Sequence, residues 1–355
     1  MWFPTLSFVL IVLSFLPLHK NQHWFFRFFE FAKIQLTFLL CLVSLIGFVL
    51  IKDESILFLI VMSLNIATLA YHIFELFPYT QFYPTEKTIK KEHASATIVL
   101  ISANVYQENK EMEKLVKIVS QQQPDLFLTM ESNQKWENAL TDLEQDYPFQ
   151  VKVALENTYG MHFYSKLEIL SHQVHYFVAD DIPCIEAQLK SKDGFVFNFY
   201  GVHPPPPSPT EEENSKERDG ELLSLAKVIQ TKKEPCVVAG DFNNVAWAKS
   251  SILFKKTSEL VDARIGRGLF STFHAKYWFF RFPIDLFFHS PSIFVEELKT
   301  LTYFGSDHFP IYTAFYINEN ATEQTELVET LESENKKEVA ELIEEGKKEK
   351  SENRD

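Results

Sequence analysis

Positive charge is scarce in this chain. It has 34 Lys and Arg against 48 Asp and Glu, a net charge of −14, and no Lys/Arg-rich stretch stands out. A protein that grips nucleic acid without sequence preference presents a basic face to the phosphates, so the balance weighs against DNA as the main substrate. Cysteine is scarce as well. Cys41 lies in an apolar segment and Cys236 opens an apolar run, and with Cys184 they are the only three. They read as buried free thiols rather than a disulfide or a metal site, and they leave the redox compartment open. A secretory signal is also missing. No basic region precedes the first apolar run, and no small-residue cleavage site follows it cleanly.

What the chain has in excess is apolar sequence near its start. Its 355 residues leave room for one large domain plus accessory segments. From residue 1 to 77, Leu, Ile, Val and Phe dominate. Three runs, Trp2 to Leu18, Ile34 to Ile51 and Ile56 to Phe74, approach the roughly 20 residues an α-helix needs to cross about 30 Å of hydrocarbon. The expectation is three transmembrane helices in an integral protein of a bacterial inner membrane. The charge count (Lys20, Arg27 and Lys33 against Glu30; Lys52 against Asp53 and Glu54; then Lys87, Lys90 and Lys91) favours a cytoplasmic C-terminal domain. The first loop also holds Trp24, Phe25, Phe26, Phe28, Phe29 and Phe31, which suit a membrane interface or a packed interhelical turn.

Residues 78–94 read as a linker, and the pattern then changes. Short β-branched runs (Thr97–Ser102, Leu126–Met130, Tyr159–Tyr164, Phe195–Val202, Cys236–Ala239) alternate with helical spacing over Glu111–Gln121 and Glu217–Thr231. This is a layered α/β domain over residues 95–317. Polar groups recur where the apolar runs stop: Asn104, Glu131, His203, Asp241 and Asp307, with Asp285 after Phe282-Pro283-Ile284. Two motifs about sixty residues apart concentrate the chemistry, Gly240-Asp241-Phe242-Asn243 and Ser306-Asp307-His308-Phe309-Pro310. The second is read as following a strand over Leu301–Phe304. One such residue is an ordinary turn former. Six, of types suited to a divalent cation and a phosphate, point to a site for metal-assisted attack of water on a phosphate ester.

In this order the residues resemble the endonuclease/exonuclease/phosphatase superfamily, over roughly residues 95–317. The bacterial branch with N-terminal membrane spans is the nearest likeness, on His203 followed by Pro204-Pro205-Pro206-Pro207 and then Arg218. The resemblance implies a four-layer sandwich of two mixed β-sheets flanked by helices, preceded here by the three spans. Carboxylate oxygens suit Mg²⁺ or Mn²⁺. The resemblance gives the metal to Glu131, with Asn104 orienting it or touching phosphate and Asp307 as a second contact. Asp241 is expected to activate water, Asn243 to hold phosphoryl oxygens, His308 to stabilise charge on the phosphate and Asp285 to orient His308. His203 is expected to contact phosphate. Arg218 either clamps a phosphate or starts a helix in solvent, and it is counted with the substrate set. Tyr164 and His162 read as structural. The aromatic run Tyr277–Phe282 reads as packing against the sheet, with a substrate or membrane contact as the other reading.

The functional expectation is a membrane-anchored, metal-dependent phosphoesterase acting on a lipid, a small molecule or nucleic acid. A nuclease using the same site is one alternative. A catalytically inert tethered interaction module is the other. The tail, residues 318–355, reads as disordered. Residues 319–355 hold 13 Asp and Glu against 6 Lys and Arg, so a protein partner for this tail is expected.

Overall fold

The computed structural model describes residues 2–51, 55–84, 93–320 and 323–351. The charges read for orientation at Lys52, Asp53, Glu54, Lys87, Lys90 and Lys91 lie outside the described residues, as do residues 85–92 of the linker. The chain opens with α1 (Trp2–Phe15), α2 (Trp24–Phe31), α3 (Lys33–Leu50) and α4 (Ile56–Leu76). α3 and α4 turn large apolar side chains outward, Leu45, Phe48, Ile56 and Phe74 among them. A helix apolar all round belongs in a core or a bilayer, and Lys33–Leu50 (18 residues) and Ile56–Tyr79 (24 residues) are long enough to cross one.

Among the described residues only these two qualify, where three were expected. α1 has 14 residues, a rise of about 21 Å against about 30 Å of hydrocarbon. Pro17 lies in the 3-10 turn Leu16–Leu18 that follows α1. α1 packs on the hairpin instead. Phe3 lies against Phe58, and Asn65 donates to Ser7 Oγ at 2.9 Å. Cys41 is exposed on α3, whereas Cys184 and Cys236 are the buried free thiols expected.

The remaining elements, in order, are β1 (Ile98–Asn104), α5 (Met112–Gln122), β2 (Leu126–Met130), α6 (Gln134–Ala139), β3 (Phe149–Val153), β4 (Met161–Ser165), β5 (Glu168–His175), β6 (Cys184–Lys190), β7 (Val196–Val202), α7 (Lys216–Gln230), β8 (Cys236–Asp241), α8 (Lys249–Ser258), β9 (Val261–Asp262), β10 (Asp285–His289), β11 (Ile293–Thr300), β12 (Ile311–Ile317) and α9 (Ser333–Lys348). They form two six-stranded mixed sheets, ordered β11-β12-β1-β2-β4-β3 and β5-β6-β7-β8-β10-β9. Each sheet has one parallel pair, β1–β2 and β7–β8. A parallel pair needs a crossover, and α5 and α7 supply the two. The sheets face each other across an apolar core in which Phe163 stacks on Phe199 at 4.2 Å between ring centres. α5 and α6 cover the outer face of the first sheet, α7 and α8 that of the second. His162 and Tyr164 are buried on β4, as structural residues. Leu301–Phe304 is not a strand. β11 ends at Thr300, and of the four residues only Phe304 is fully buried.

The tail is not disordered throughout. α9 carries Val339, Leu342 and Ile343 at helical spacing, and these pack on Leu223 and Leu253. Lys255 pairs with Glu329 at 2.6 Å, and Lys216 and Asn214 each meet Glu349 at 2.7 Å. The few apolar residues suffice because they fall on one face and because Gly346 meets Gly220. A Cβ at Gly346 would sit 2.7 Å from the Lys216 carbonyl and 2.8 Å from Gly220 Cα. Gly346→Leu therefore overpacks this crossing by about 1–3 kcal/mol and releases α9. Limited proteolysis with a Glu-specific protease is expected to spare Glu338–Glu345 in the wild type and to cut there in the variant, leaving the sheets intact. Continued protection of the variant would show that the glycine crossing does not hold α9.

Candidate active site

Chain direction explains why distant residues meet. β1 and β2 run parallel, so Asn104 and Glu131 leave the first sheet at one edge. β7 and β8 do the same in the second sheet, delivering His203 and Asp241. β10 and β12 are antiparallel to these neighbours, so their beginnings lie at the same edge. Asp285 opens β10 directly opposite Asp241, and Asp307 and His308 lie just before β12. Eight of the nine residues expected at the site converge here.

His308 sits between two carboxylates. Its Nδ1 is 2.8 Å from Asp285 Oδ2 and its Nε2 is 3.5 Å from Asp241 Oδ2. Burial alone would drive the ring towards neutrality. The charges of Asp285 and Asp241 and the hydrogen bond that Nδ1 donates to Asp285 outweigh it, holding the imidazole protonated with a pKa near 10. Ser306 Oγ fixes the turn by accepting from His308 N at 3.0 Å and donating to the Asn104 carbonyl at 2.8 Å. Asp241 is fully buried, which raises its carboxyl to about 7 even though His308 pulls it down. Its Oδ1 accepts from Asn243 N at 2.8 Å. Potential ligand atoms of Asp241, Asp285 and His308 all lie within 4.8 Å of one another.

Glu131 faces the same space from the other sheet. Its Oε1 accepts from Asn104 Nδ2 at 2.9 Å and its Oε2 from Gln107 N at 3.2 Å. Burial lifts its carboxyl to about 7, against the lowering effect of Asn104 and with Asp307 adding to the rise. Asn104 Nδ2 also donates to Asp241 Oδ2 at 3.1 Å, and its Oδ1 accepts from Tyr106 N at 3.0 Å. The Asn104 side-chain oxygen is thus taken by the Tyr106 backbone N–H, and its amide nitrogen links Glu131 to Asp241. His203 is buried, with Nε2 3.9 Å from Asp241 Oδ2, and burial holds it neutral with a pKa near 3. Asn243 Nδ2 donates to the Pro204 carbonyl at 2.9 Å, tying the proline run to the motif after β8. Gly240 makes that register possible. Its φ is +145°, and a Cβ there would lie 2.0 Å from the Val202 carbonyl oxygen, a close approach only glycine tolerates.

Glu131, His203, Asp241, Asn243, Asp307 and His308 line one cavity of ≈ 400 Å³. Asp285 and Asn104 stand behind it through the hydrogen bonds above. Pro206 and Pro207 form part of its wall. The aromatic run departs from the packing expected of it. Tyr277, Trp278 and Phe279 are exposed, Phe280 and Phe282 line the cavity, and Phe28 and Phe31 of α2 line it too. Those α2 rings were expected in a membrane interface or a packed interhelical turn. Nothing local to the sequence marks them as facing the site.

Arg218 is the residue that does not join. It is 1% exposed, its Nε and Nη2 bond Asp219 Oδ1 at 3.0 and 2.8 Å, and its Nη1 donates to the Asn243 carbonyl at 3.1 Å. Its donors are taken up by Asp219 and the Asn243 carbonyl and it does not line the cavity, so it anchors the Asn243 turn, where a phosphate clamp or a solvent-exposed helix start was expected. Arg218→Met is expected to lower stability by about 3–5 kcal/mol, because Asp219 is left as an uncompensated buried charge. Chemical denaturation would measure this. A variant of unchanged stability with only a raised KM would return Arg218 to the substrate set.

The sequence pattern of the Endonuclease/Exonuclease/phosphatase family matches residues 101–308. No curated protein sequence matches the chain. Solved structures share the fold. An endonuclease/exonuclease/phosphatase family protein from Bacteroides thetaiotaomicron is 20% identical, with a TM-score of 0.53, covering 63% of this chain and 98% of its own. The mannosyl-6-phosphatase of the same organism is 20% identical (TM-score 0.51; 61% and 99% covered). D. rerio TDP2 complexed with a single strand DNA product is 16% identical (TM-score 0.53; 62% and 99% covered). Members of this family are generally hydrolases of phosphoester bonds, and typically use divalent metals. With the family pattern spanning more than half of its length and the two-sheet fold in place, the chain belongs to the endonuclease/exonuclease/phosphatase family.

Proposed function

We propose that this protein is a membrane-anchored, divalent-metal-dependent phosphoesterase that hydrolyses its substrate by attack of water on phosphorus. The observation that carries the reading is His308 held protonated between Asp285 and Asp241 at the floor of a cavity that also contains Glu131 and Asp307. The donor set fits a hard cation. Glu131 and Asp307 are carboxylates, and no Lys or Arg lines the cavity among the described residues. Burial leaves Glu131 with its carboxyl raised, an electrostatic cost that a bound cation removes. The Asp241–Asp285–His308 group is less apt, since Asp285 already bonds His308 Nδ1 and Asp241 already accepts from Asn243 N and Asn104 Nδ2. When bound by Glu131 and Asp307, Mg²⁺ or Mn²⁺ supplies Lewis-acid polarisation of a phosphoryl oxygen and offsets charge on the leaving oxygen.

The chain's own groups do the rest. Asp241 is pinned through Oδ1 by Asn243 N, and Oδ2 takes the proton from the attacking water. Its raised carboxyl suits a base working near neutral pH. His308 donates through Nε2 to the phosphoryl oxygen as negative charge grows there, while Asp285 holds Nδ1 and so fixes the ring. Asn243 has one amide hydrogen committed to Pro204 and one left for the cleft. His203, neutral, is available to accept or donate one hydrogen bond to the phosphate. α3 and α4 hold the domain at a bilayer. An inert module has no use for so complete a set of groups.

Full-length protein in detergent is expected to hydrolyse bis(p-nitrophenyl) phosphate with Mg²⁺ or Mn²⁺ and to stop on addition of EDTA. Asp241→Asn is expected to lower kcat by about 10²–10⁴-fold, with little change in the thermal transition. Chelator-insensitive turnover, or an Asp241→Asn variant as active as the wild type, would refute the proposal.

A further inference from the structure

The cavity has two unlike ends. One holds Glu131, Asp241, Asp307 and His308. The other is a wall of phenylalanines from two separate parts of the chain, Phe28 and Phe31 of α2 and Phe273, Phe280 and Phe282 of the segment before β10. The two sources interlock, Phe28 stacking on Phe280 at 6.3 Å and Phe31 meeting Phe282 edge-on at 5.9 Å. Phe28 and Phe280 each remain 37% exposed, so the wall is open rather than filled by its own packing. The polar end matches a phosphate ester. The phenylalanine wall adjoins it directly, and Tyr106, Thr158, Ser208, Thr210 and Glu211 complete the lining around the two.

Position relative to the bilayer is fixed by the same segments. Gln35, in the first turn of α3, has Nε2 3.4 Å from the carbonyls of Phe279 and Arg281. The 3-10 turn that follows α4 ends at Tyr79, which packs on Trp247 of the domain, and Trp247 Nε1 donates to the Glu30 carbonyl at 2.8 Å. Both ends of the hairpin therefore leave the hydrocarbon beside the cavity. Next to them Tyr277, Trp278 and Phe279 stand 50%, 82% and 61% exposed, on a loop level with the start of α3. Exposed Trp and Tyr at that level suit the membrane–water interface.

We propose that the cleft takes an amphiphilic phosphate ester from the bilayer, its phosphate at Asp241 and His308 and its acyl or alkyl portion against the Phe28–Phe280 wall. This rests on the phosphoesterase reading and narrows its substrate. α2, a part of the membrane region, is then a specificity-determining element of the active site. In the reaction the water oxygen bonds to phosphorus, the phosphorus–oxygen bond to the departing alcohol breaks, one water proton passes to Asp241 and the leaving oxygen is protonated in turn. The same aromatic wall would stack nucleobases, but a nucleic-acid strand also needs cationic partners along its backbone, and no Lys or Arg lines the cleft among the described residues.

The test uses full-length protein in nanodiscs with Mg²⁺ and three probes: methyl p-nitrophenyl phosphate, octyl p-nitrophenyl phosphate and a single-stranded oligonucleotide. The expected result is a kcat/KM for the octyl ester about tenfold or more above that for the methyl ester, carried mainly by KM. Phe28→Asp is expected to erase the chain-length preference and Phe28→Leu to keep it. Phe280→Asp tests the same wall from the domain side, should the α2 variant fail to fold. Equal kcat/KM for the two esters overturns this inference while leaving the phosphoesterase reading intact, and so does a preference for the oligonucleotide. Hydrolysis of none of the three overturns both.

Discussion

Two carboxylates face each other across adjacent antiparallel strands, Asp241 closing β8 and Asp285 opening β10. In a buried site their repulsion would drive one of them to protonate. His308 removes the conflict by presenting one ring nitrogen to each, and both carboxylates in turn keep the ring charged. Everything else at the site serves this arrangement. Asn243 N and Asn104 Nδ2 fix the two oxygens of Asp241, Gly240 lets β8 approach β7, Ser306 sets the turn that carries His308, and Arg218 locks the Asn243 carbonyl from behind. The sheet topology is what makes it reachable, because both parallel pairs end, and both antiparallel partners begin, at one edge.

The N-terminal helices belong to this arrangement too. α2 buries Arg27 and Glu30 and turns aromatic rings towards the cleft and solvent, the reverse of a helix packing its apolar face on a core. Buried Arg27 is tied to Glu30 at 3.2 Å and to the carbonyls of Pro17, His19 and Asn21. These bonds hold the turn between α1 and α2 rigid and set the position of Phe28 and Phe31. An apolar cluster of Tyr79, Trp247, Phe282 and Ile284, with Phe31 and Ile34 packed against it, joins the hairpin to the loop that follows the Gly240–Asn243 motif. The N-terminal helices and the site are thereby one packed unit.

The catalytic residues were legible in the sequence because their signal is local: a polar residue where an apolar run stops. Asn104, Glu131, His203, Asp241, Asp285 and Asp307 were placed in this way, with His308 next to Asp307 in its motif, and the resemblance supplied their expected roles. What was illegible depends on distant partners. Leu301–Phe304 has the composition of a strand but no neighbour to pair with, so it stays a loop. The α1 run is apolar enough for a span yet ends in Pro17 too soon. α9 has too few apolar residues to fold alone, and orders because Gly346 fits Gly220 on a helix more than a hundred residues earlier. Arg218 looked like a phosphate clamp because no sequence rule shows that Asp219 and the Asn243 carbonyl take up its donors.

The central claim is that one sheet edge separates a cation-binding pair, Glu131 and Asp307, from a proton-handling group, Asp241, Asp285 and His308. Electron paramagnetic resonance of Mn²⁺ bound to the full-length protein tests it directly. The account expects bound Mn²⁺ in the wild type and in Asp285→Asn, and its loss in Glu131→Gln. Mn²⁺ binding that survives Glu131→Gln but disappears in Asp285→Asn would contradict it.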